Sequence, residues 1–214
     1  MKSFSDKLAM YVSYVFHPLF MPTNGLIIAY LLGGISGFNP YSIESDKANA
    51  RFVIECVFIA TAVIPLILAI FLKKLNKISS LHMPLKEERM LPFFINGILY
   101  YGVIYLFSRY WELPLPIIIY QFMFGATLAI IIGMIITYSW KISIHMIGIG
   151  GIVGILIALS KTGNEILFTP LVIAIIISGF VGFGRLQLKA HNTGQLIAGF
   201  ILGCTCEILS LFVN

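Results

Sequence analysis

Charged residues are sparse along this chain, and the stretches between them are long and apolar. Seven intervals contain no Asp, Glu, Lys or Arg: 8–43, 56–72, 90–108, 113–140, 142–160, 166–184 and 190–206. About 20 apolar residues cross a hydrocarbon layer roughly 30 Å thick, and backbone amides in lipid need hydrogen-bond partners inside their own segment. The pattern therefore predicts an all-α polytopic transmembrane bundle of six to seven spans, in one membrane domain covering residues 1–214.

The first of these intervals is irregular, because prolines interrupt what would otherwise be one long helix. Pro18, which follows His17, and Pro22 each remove a backbone donor and favour a kink. We therefore expect this segment either to span with a break or to enter the bilayer and return. Lys2 and Lys7 precede it as they would precede a signal peptide, but no small-residue cleavage site follows. We expect the segment to be retained.

Composition supports the membrane assignment and excludes other classes. Of the 214 residues, 59% are apolar and 11% are charged, whereas a soluble domain has about 45–50% and about 25%. Cys56, Cys204 and Cys206 all lie in apolar runs, so they do not outline a disulfide scaffold. The net charge of +5 comes from short clusters between apolar runs, a pattern that favours anionic lipid headgroups or a phosphate ligand over nucleic acid.

The later apolar segments contain two pairs of glycines and one acidic residue, and each of these features predicts something about the packing of the helices. Two Gly-x-x-x-Gly pairs predict helices that approach closely: Gly150 with Gly154, and Gly199 with Gly203. Glu207 falls within the last predicted span. An acid in that position is either neutral, paired across helices, or close to the opposite surface.

Polar residues gather at three places along the chain. The clusters are Lys73, Lys74, Lys77, His82, Lys86, Glu87, Glu88 and Arg89; then Lys141, Ser143 and His145; then Arg185, Gln187, Lys189, His191, Asn192, Thr193 and Gln195. Two predicted spans separate each cluster from the next, so all three are predicted to lie at one membrane face. Guanidinium groups bind phosphate oxygens with two parallel hydrogen bonds, and a histidine can move protons or attack phosphorus.

Each of these residues also has a simpler interpretation. Lysines 73, 74 and 77 fit the anchors that flank membrane spans, and Lys141 fits a side chain that extends to the headgroups. A single histidine at a helix end is more often interfacial than catalytic, and His17 and His82 are weaker candidates than His145. Arg185 followed six residues later by His191 is not an anchoring pattern.

At these clusters the sequence resembles the type 2 phosphatidic acid phosphatase family of integral membrane lipid phosphatases. That family carries the motifs Lys-x6-Arg-Pro, Pro-Ser-Gly-His and Ser-Arg-x5-His-x3-Asp, in this order. The third motif is matched by Arg185, His191 and Gln195 at the family's spacing, and the second by Ser143 and His145. The first motif is matched loosely, by Lys86, Arg89 and Pro92, with His82 at the position of the family's lysine. The resemblance covers residues of about 80–205.

The resemblance implies a role for each matching residue. Arg89 and Arg185 would bind the phosphate, and Ser143 would add a hydrogen bond. His191 would be the nucleophile that forms a phosphohistidine, and His145 would be the general acid that protonates the leaving group. The resemblance requires no metal or cofactor, and none of the clusters has convincing metal-ligand spacing.

Two departures from the family pattern keep a second hypothesis open. Gln195 replaces the aspartate that would orient the catalytic histidine, and Lys86 stands in for the missing lysine. In a serine protease triad the corresponding acid-to-amide change costs about 10⁴ in kcat. The leading prediction is a phosphohydrolase acting on a lipid phosphate or a polyprenyl diphosphate. The alternative is an inactive member of the same fold that binds or helps to transport an anionic lipid. An ion channel or transporter unrelated to phosphate is a weaker third interpretation, because intramembrane acids are scarce.

The resemblance also implies a location, an integral protein of a bacterial inner membrane with an extracytoplasmic site. Lysines and arginines favour the reverse orientation by the positive-inside rule, but candidate site residues and the residues beside them supply most of that excess. The headgroup, the number of chains and the oligomeric state are left open by the sequence.

Overall fold

The chain folds into helices. The computed structural model describes residues 3–32, 38, 41, 43–81, 83, 85–109, 115–160 and 167–212. Within these residues the α-helices are α1 (Phe4–Val15), α2 (Met21–Leu31), α3 (Glu44–Phe58), α4 (Ile64–Lys74), α5 (Glu87–Arg109), α6 (Ile117–Ser139), α7 (Ile144–Ser160), α8 (Phe168–Gln187) and α9 (Thr193–Ser210). The same residues contain no strand, so the predicted all-α class is confirmed for them. Lys2 and His82 lie outside the described residues.

Five helices among the described residues are long and apolar enough to cross a membrane. They are Glu44–Lys74, Glu87–Arg109, Ile117–Ser139, Phe168–Gln187 and Thr193–Ser210. The first of them joins α3 to α4 through a wider π-helical turn at Ile59–Val63. Five apolar helices of this length are typical of an integral membrane protein.

The other apolar segments form shorter helices than the predicted six to seven spans require. Interval 142–160 forms α7, which has 17 residues. In the first interval α1 ends at Val15 and a 3₁₀ turn follows at Pro18–Phe20, so the predicted break at Pro18 is confirmed. Pro22 lies in the first turn of α2. Backbone N–H groups in the first turn have no acceptor within the helix, so a proline there removes no hydrogen bond. Pro22 therefore stands at the beginning of a helix and does not kink one.

Helix α7 forms the centre of the packing, and glycines bring α9 against it. A Cβ atom at Gly154 would lie 2.6 Å from the carbonyl oxygen of Cys204, and a Cβ atom at Gly199 would lie 2.6 Å from that of Ser143. All four glycines of the predicted pairs make such backbone contacts: Gly150, Gly154, Gly199 and Gly203. The prediction that these glycines allow close helix packing is confirmed, and this packing holds the first turn of α9 beside the start of α7.

Candidate functional site

The candidate residues lie at helix ends and in the short connections between helices. Lys86 and Arg89 lie at the start of α5, Ser143 and His145 at the start of α7, Arg185 in the last turn of α8, His191 between α8 and α9, and Gln195 in the first turn of α9. Helix α7 packs against both α8 and α9. The α8–α9 connection is therefore held close to the start of α7.

Gln195 orients His191 through a helix cap. The Asn192 side chain accepts a hydrogen bond from the Gln195 backbone N–H at 3.0 Å, and Gln195 Oε1 accepts one from the Asn192 backbone N–H at 3.2 Å. This reciprocal pair is a capping box. His191 Nδ1 lies 3.0 Å from the same Oε1. Because the backbone N–H requires an acceptor there, the oxygen position is assigned and Nδ1 of His191 is the donor. The Nε2 atom of neutral His191 then keeps a free lone pair.

Ser143 links this cap to α7. Its backbone N–H donates to the Gln195 carbonyl oxygen at 3.4 Å, and its hydroxyl accepts from the Met146 backbone N–H at 3.4 Å. Ser143 is fully buried and serves as the N-cap of α7. The hydroxyl thus holds the helix start in place, and its own proton is not engaged by these two bonds.

Three cationic side chains surround this region, and none of them forms an ion pair with a carboxylate of the described residues. Arg89 is buried and its Nε donates to the Met83 carbonyl at 2.8 Å. Arg185 Nη1 donates to the Ser13 hydroxyl at 3.3 Å, while its Nε is buried with no hydrogen-bond partner. Neither arginine nor the half-buried Lys141 forms an ion pair with any carboxylate of the described residues. A buried guanidinium donor without an acceptor is costly, and an anion would satisfy it.

The positive charges around His191 affect its protonation. Burial and, to a smaller extent, the positive charges of Arg89, Arg185 and Lys141 together lower the pKa of His191 to about 4, although the hydrogen bond to Gln195 opposes the shift. Burial and the two arginines also lower the pKa of Lys141. His191 is therefore neutral at pH 7, the state in which a histidine acts as a nucleophile.

His145 contacts two residues that the sequence did not single out as partners. Its Nε2 lies 3.2 Å from the backbone carbonyl oxygen of Ser13. Because a carbonyl only accepts, this nitrogen carries the proton. The ring of His17 lies edge-on to that of His145, with 5.4 Å between centroids. The sequence predicted an interruption at Pro18, close to Ser13 and His17. Nothing in the sequence indicated that α1 contacts α7.

Lys86 lies apart from the other candidates. Its Nζ donates to the Tyr138 carbonyl oxygen at 2.9 Å, at the C-terminal end of α6, where a cation satisfies a carbonyl that has no partner within the helix. Its charge is not among those that shift the pKa of His191. The structure thus brings together His191, Gln195, Ser143, Arg89, Arg185 and Lys141, joins His145 to Arg185 through Ser13, and gives Lys86 a contact of its own.

Comparison with known proteins finds no family model that matches the chain, and no match among curated proteins or solved structures. Among the described residues no group of three or more His, Cys, Asp or Glu side chains is placed to hold a metal ion. The resemblance to lipid phosphatases therefore stays a prediction from the motif residues. The geometry around His191 favours the binding of an anion independently of that resemblance.

Proposed function

We propose that the protein is a membrane-embedded phosphohydrolase that removes phosphate from a lipid phosphate or a polyprenyl diphosphate through a phosphohistidine at His191. One observation carries this proposal. A neutral, oriented histidine lies among Arg89, Arg185 and Lys141, cations that form no ion pair with the described carboxylates. A phosphate group would supply the missing negative charge and hydrogen-bond acceptors.

The proposed reaction has two steps. Arg89 and Arg185 bind the phosphate oxygens, and Nε2 of His191 attacks phosphorus. An N–P bond forms while the bond to the leaving oxygen breaks, and His145, which takes up a second proton when the negatively charged phosphate binds, gives a proton to that oxygen. Water then attacks phosphorus, the N–P bond breaks, and neutral His145 accepts the proton from water. Gln195 holds the Nδ1–H of His191 throughout.

The proposed topology adds α7 as a sixth membrane span and places the three polar clusters at one face of an inner membrane. The positions of the clusters along successive helices support this topology, because starts and ends of helices alternate. The clusters lie at the start of α5, the end of α6, the start of α7, the end of α8 and the start of α9. The Lys86 bond to the Tyr138 carbonyl and the Ser143 bond to the Gln195 carbonyl join these ends directly. We place this face outside the cytoplasm, following the family resemblance.

A second function, binding or transport of an anionic lipid without hydrolysis, is favoured by two specific observations. The proton on His145 Nε2 is engaged by the Ser13 carbonyl instead of pointing to a ligand. In addition, His191 is oriented by an amide, which cannot stabilise a developing positive charge on the ring as a carboxylate does.

The test measures phosphate release from phosphatidate, phosphatidylglycerol phosphate and a polyprenyl diphosphate, using the full chain in detergent without added metal. We expect His191→Gln to lower the rate at least about 10³-fold. Arg51→Gln is the control for a glutamine substitution outside the candidate site, because Arg51 is exposed on α3. Equal release by wild type and His191→Gln would overturn the phosphohydrolase proposal.

A binding assay separates the two functions. The non-catalytic alternative predicts lipid-phosphate binding that Arg185→Gln weakens, with no turnover. Detection of a phosphohistidine at His191, absent from His191→Gln, would exclude this alternative.

A further inference from the structure

Helix α1 covers one side of the candidate site through Ser13. The backbone carbonyl of this residue accepts from His145 Nε2 at 3.2 Å, and its hydroxyl accepts from Arg185 Nη1 at 3.3 Å. Ser13 is itself 8% exposed. One residue of α1 therefore engages the Nε2 proton of His145 and one of the donors of Arg185, the two side chains to which the proposed function gives a leaving oxygen and a phosphate.

The rest of α1 is attached to α8 by small residues and a few polar contacts. Gln187 Nε2 donates to Asp6 Oδ1 at 2.9 Å and to the Ser5 hydroxyl at 3.3 Å. Further along, a Cβ atom at Gly184 would lie 3.2 Å from the carbonyl oxygen of Ala9. The attachment thus depends on close backbone packing and side-chain hydrogen bonds, without a large buried aromatic side chain in α1.

The opposite face of α1 is aromatic and exposed. Phe4 is 83% exposed, Tyr11 is 70% exposed and Tyr14 is 57% exposed. Aromatic side chains of this kind are enriched where membrane meets water, and an amphipathic helix can lie in that interface. Lipid headgroups would solvate this face whether or not α1 remains on α8.

The connection after α1 provides a place to bend. The helix ends at Val15, and the chain continues through His17 in extended conformation to the 3₁₀ turn at Pro18–Phe20. A change of backbone angles here would move Ser13 away from α7 and α8 without disturbing α2, whose Met21 packs against α7 beside Gly148.

We infer that α1 is a strap over the candidate site, which holds Arg185 and His145 through Ser13 in the free protein and is displaced when a phosphate group binds. This inference rests on the proposed function for the identity of the anion. Displacement exchanges the Ser13 hydroxyl for a phosphate oxygen at Arg185 and frees the Nε2 proton of His145. Lipid that fills the site must therefore compete with the chain's own α1.

A cross-link tests the strap directly. A Cβ atom at Gly184 would lie 3.6 Å from the Ala9 Cα, so a disulfide between Ala9→Cys and Gly184→Cys would hold α1 closed. The double variant is made in a chain with Cys56, Cys204 and Cys206 changed to Ala, and the two single variants are the matched controls. Binding of inorganic phosphate and of phosphatidate in nanodiscs is measured before and after reduction.

We expect the oxidised double variant to bind both probes at least tenfold more weakly, and reduction to restore binding. Ser13→Ala, which cannot accept from Arg185, should bind phosphate several-fold more tightly than wild type, and Ser13→Thr should bind as wild type does. A verified cross-link that leaves binding of both probes unchanged would overturn the strap, as would failure of the reduced and Ser13→Ala proteins to bind phosphate at all.

These outcomes are separate from those that test the proposed hydrolysis. If reduction restores phosphate binding but no variant hydrolyses phosphatidate, the strap stands and the phosphohydrolase proposal fails. If wild type hydrolyses phosphatidate and the verified cross-link changes neither binding nor rate, the proposed function stands and the strap is wrong.

Discussion

Two buried polar regions along α9 differ in what surrounds them. At its first turn, the Gln195 carbonyl accepts from the Ser143 N–H, and the charges of Arg89 on α5 and Arg185 on α8 lower the pKa of His191. About three turns further on, Glu207 is 2% exposed and faces glycines: a Cβ atom at Gly125 would lie 2.6 Å from its Oε2, and one at Gly154 would lie 2.9 Å from its Cβ. The Oε2 atom has no hydrogen-bond partner.

The comparison of these two regions shows that a buried ionisable group indicates a ligand only where unpaired donors or acceptors surround it. Around His191, donors outnumber acceptors, so an added anion would form new bonds. Around Glu207 the glycines leave no room for a ligand, and it forms no ion pair with any cation of the described residues. Of the three sequence-based interpretations of Glu207, pairing with a cation across helices is therefore not seen in the described part of the chain.

The largest expected effect tests the glycine contact. In Gly203→Ala the new Cβ would overlap the Ile147 carbonyl oxygen and lie 2.8 Å from the Gly151 nitrogen. Because both are backbone atoms, neither can rotate away. We expect the free energy of unfolding to fall by about 3 kcal/mol or more, which lowers the unfolding midpoint in detergent by about 6–12 °C.

Gly102→Ala is the matched control for this variant, since nothing lies within 4 Å of a Cβ atom at Gly102. Alanine is the better helix former, so the midpoint of this control should stay the same or rise slightly. Equal midpoints for Gly203→Ala and Gly102→Ala would mean that close packing does not hold α7 against α9.

An intermediate effect is expected at Gln195, where a carboxylate can be placed beside His191 as in the lipid phosphatase motif that the sequence resembles. Gln195→Glu keeps the capping box, because glutamate serves at this position as glutamine does, and it places a charge beside His191 Nδ1. We expect phosphate release at least about tenfold faster than wild type, and a higher pKa for His191. Gln195→Ala should lower the rate by removing the orienting bond.

Asn192→Ala is the control for Gln195, because it removes one bond of the cap and leaves the His191–Gln195 bond in place. It should cost about 1 kcal/mol of stability with little change in rate. An unchanged rate in Gln195→Ala would contradict the orienting role, and a Gln195→Glu variant no faster than wild type would contradict the expected effect of the added charge.

The smallest effect concerns pH. Because the pKa of His191 is lowered to about 4 from an ordinary value of about 6.5, the unfolded chain binds a proton first as pH falls. His191 therefore favours the folded state fully above about pH 6.5, and this contribution is lost between about pH 6.5 and pH 4. Lys141→Gln should raise the pKa of His191 by a fraction of a unit, measured by NMR titration.

Lys86→Gln is the control for that titration, because Lys86 bonds to the Tyr138 carbonyl and does not contribute to the shift of His191. A lower pKa in Lys141→Gln, or equal shifts in the two variants, would contradict the proposed electrostatic contact.

The sequence predicted the fold class and most members of the candidate site, but not how each member is used. Arg185 and His191 stood out because an arginine at a span end followed six residues later by a histidine is not an anchoring pattern. The capping box at Asn192 and Gln195 could have been predicted from its Asn-x-x-Gln spacing before an apolar run. It explains physically how an amide can orient His191. The contacts of Ser13 had no such signal, since one serine in a short helix does not indicate which distant helix ends it meets.

Charge-free length, proline and glycine spacing determined where helices begin, break and pack, because these properties act within one segment and do not depend on its neighbours. Tertiary structure alone decided that α1 returns to cover Arg185 and His145, that Lys86 turns to α6, and that Glu207 faces glycines. Those outcomes depend on which helices come into contact, since a hydrogen bond forms only where two segments bring donor and acceptor within about 3 Å of each other.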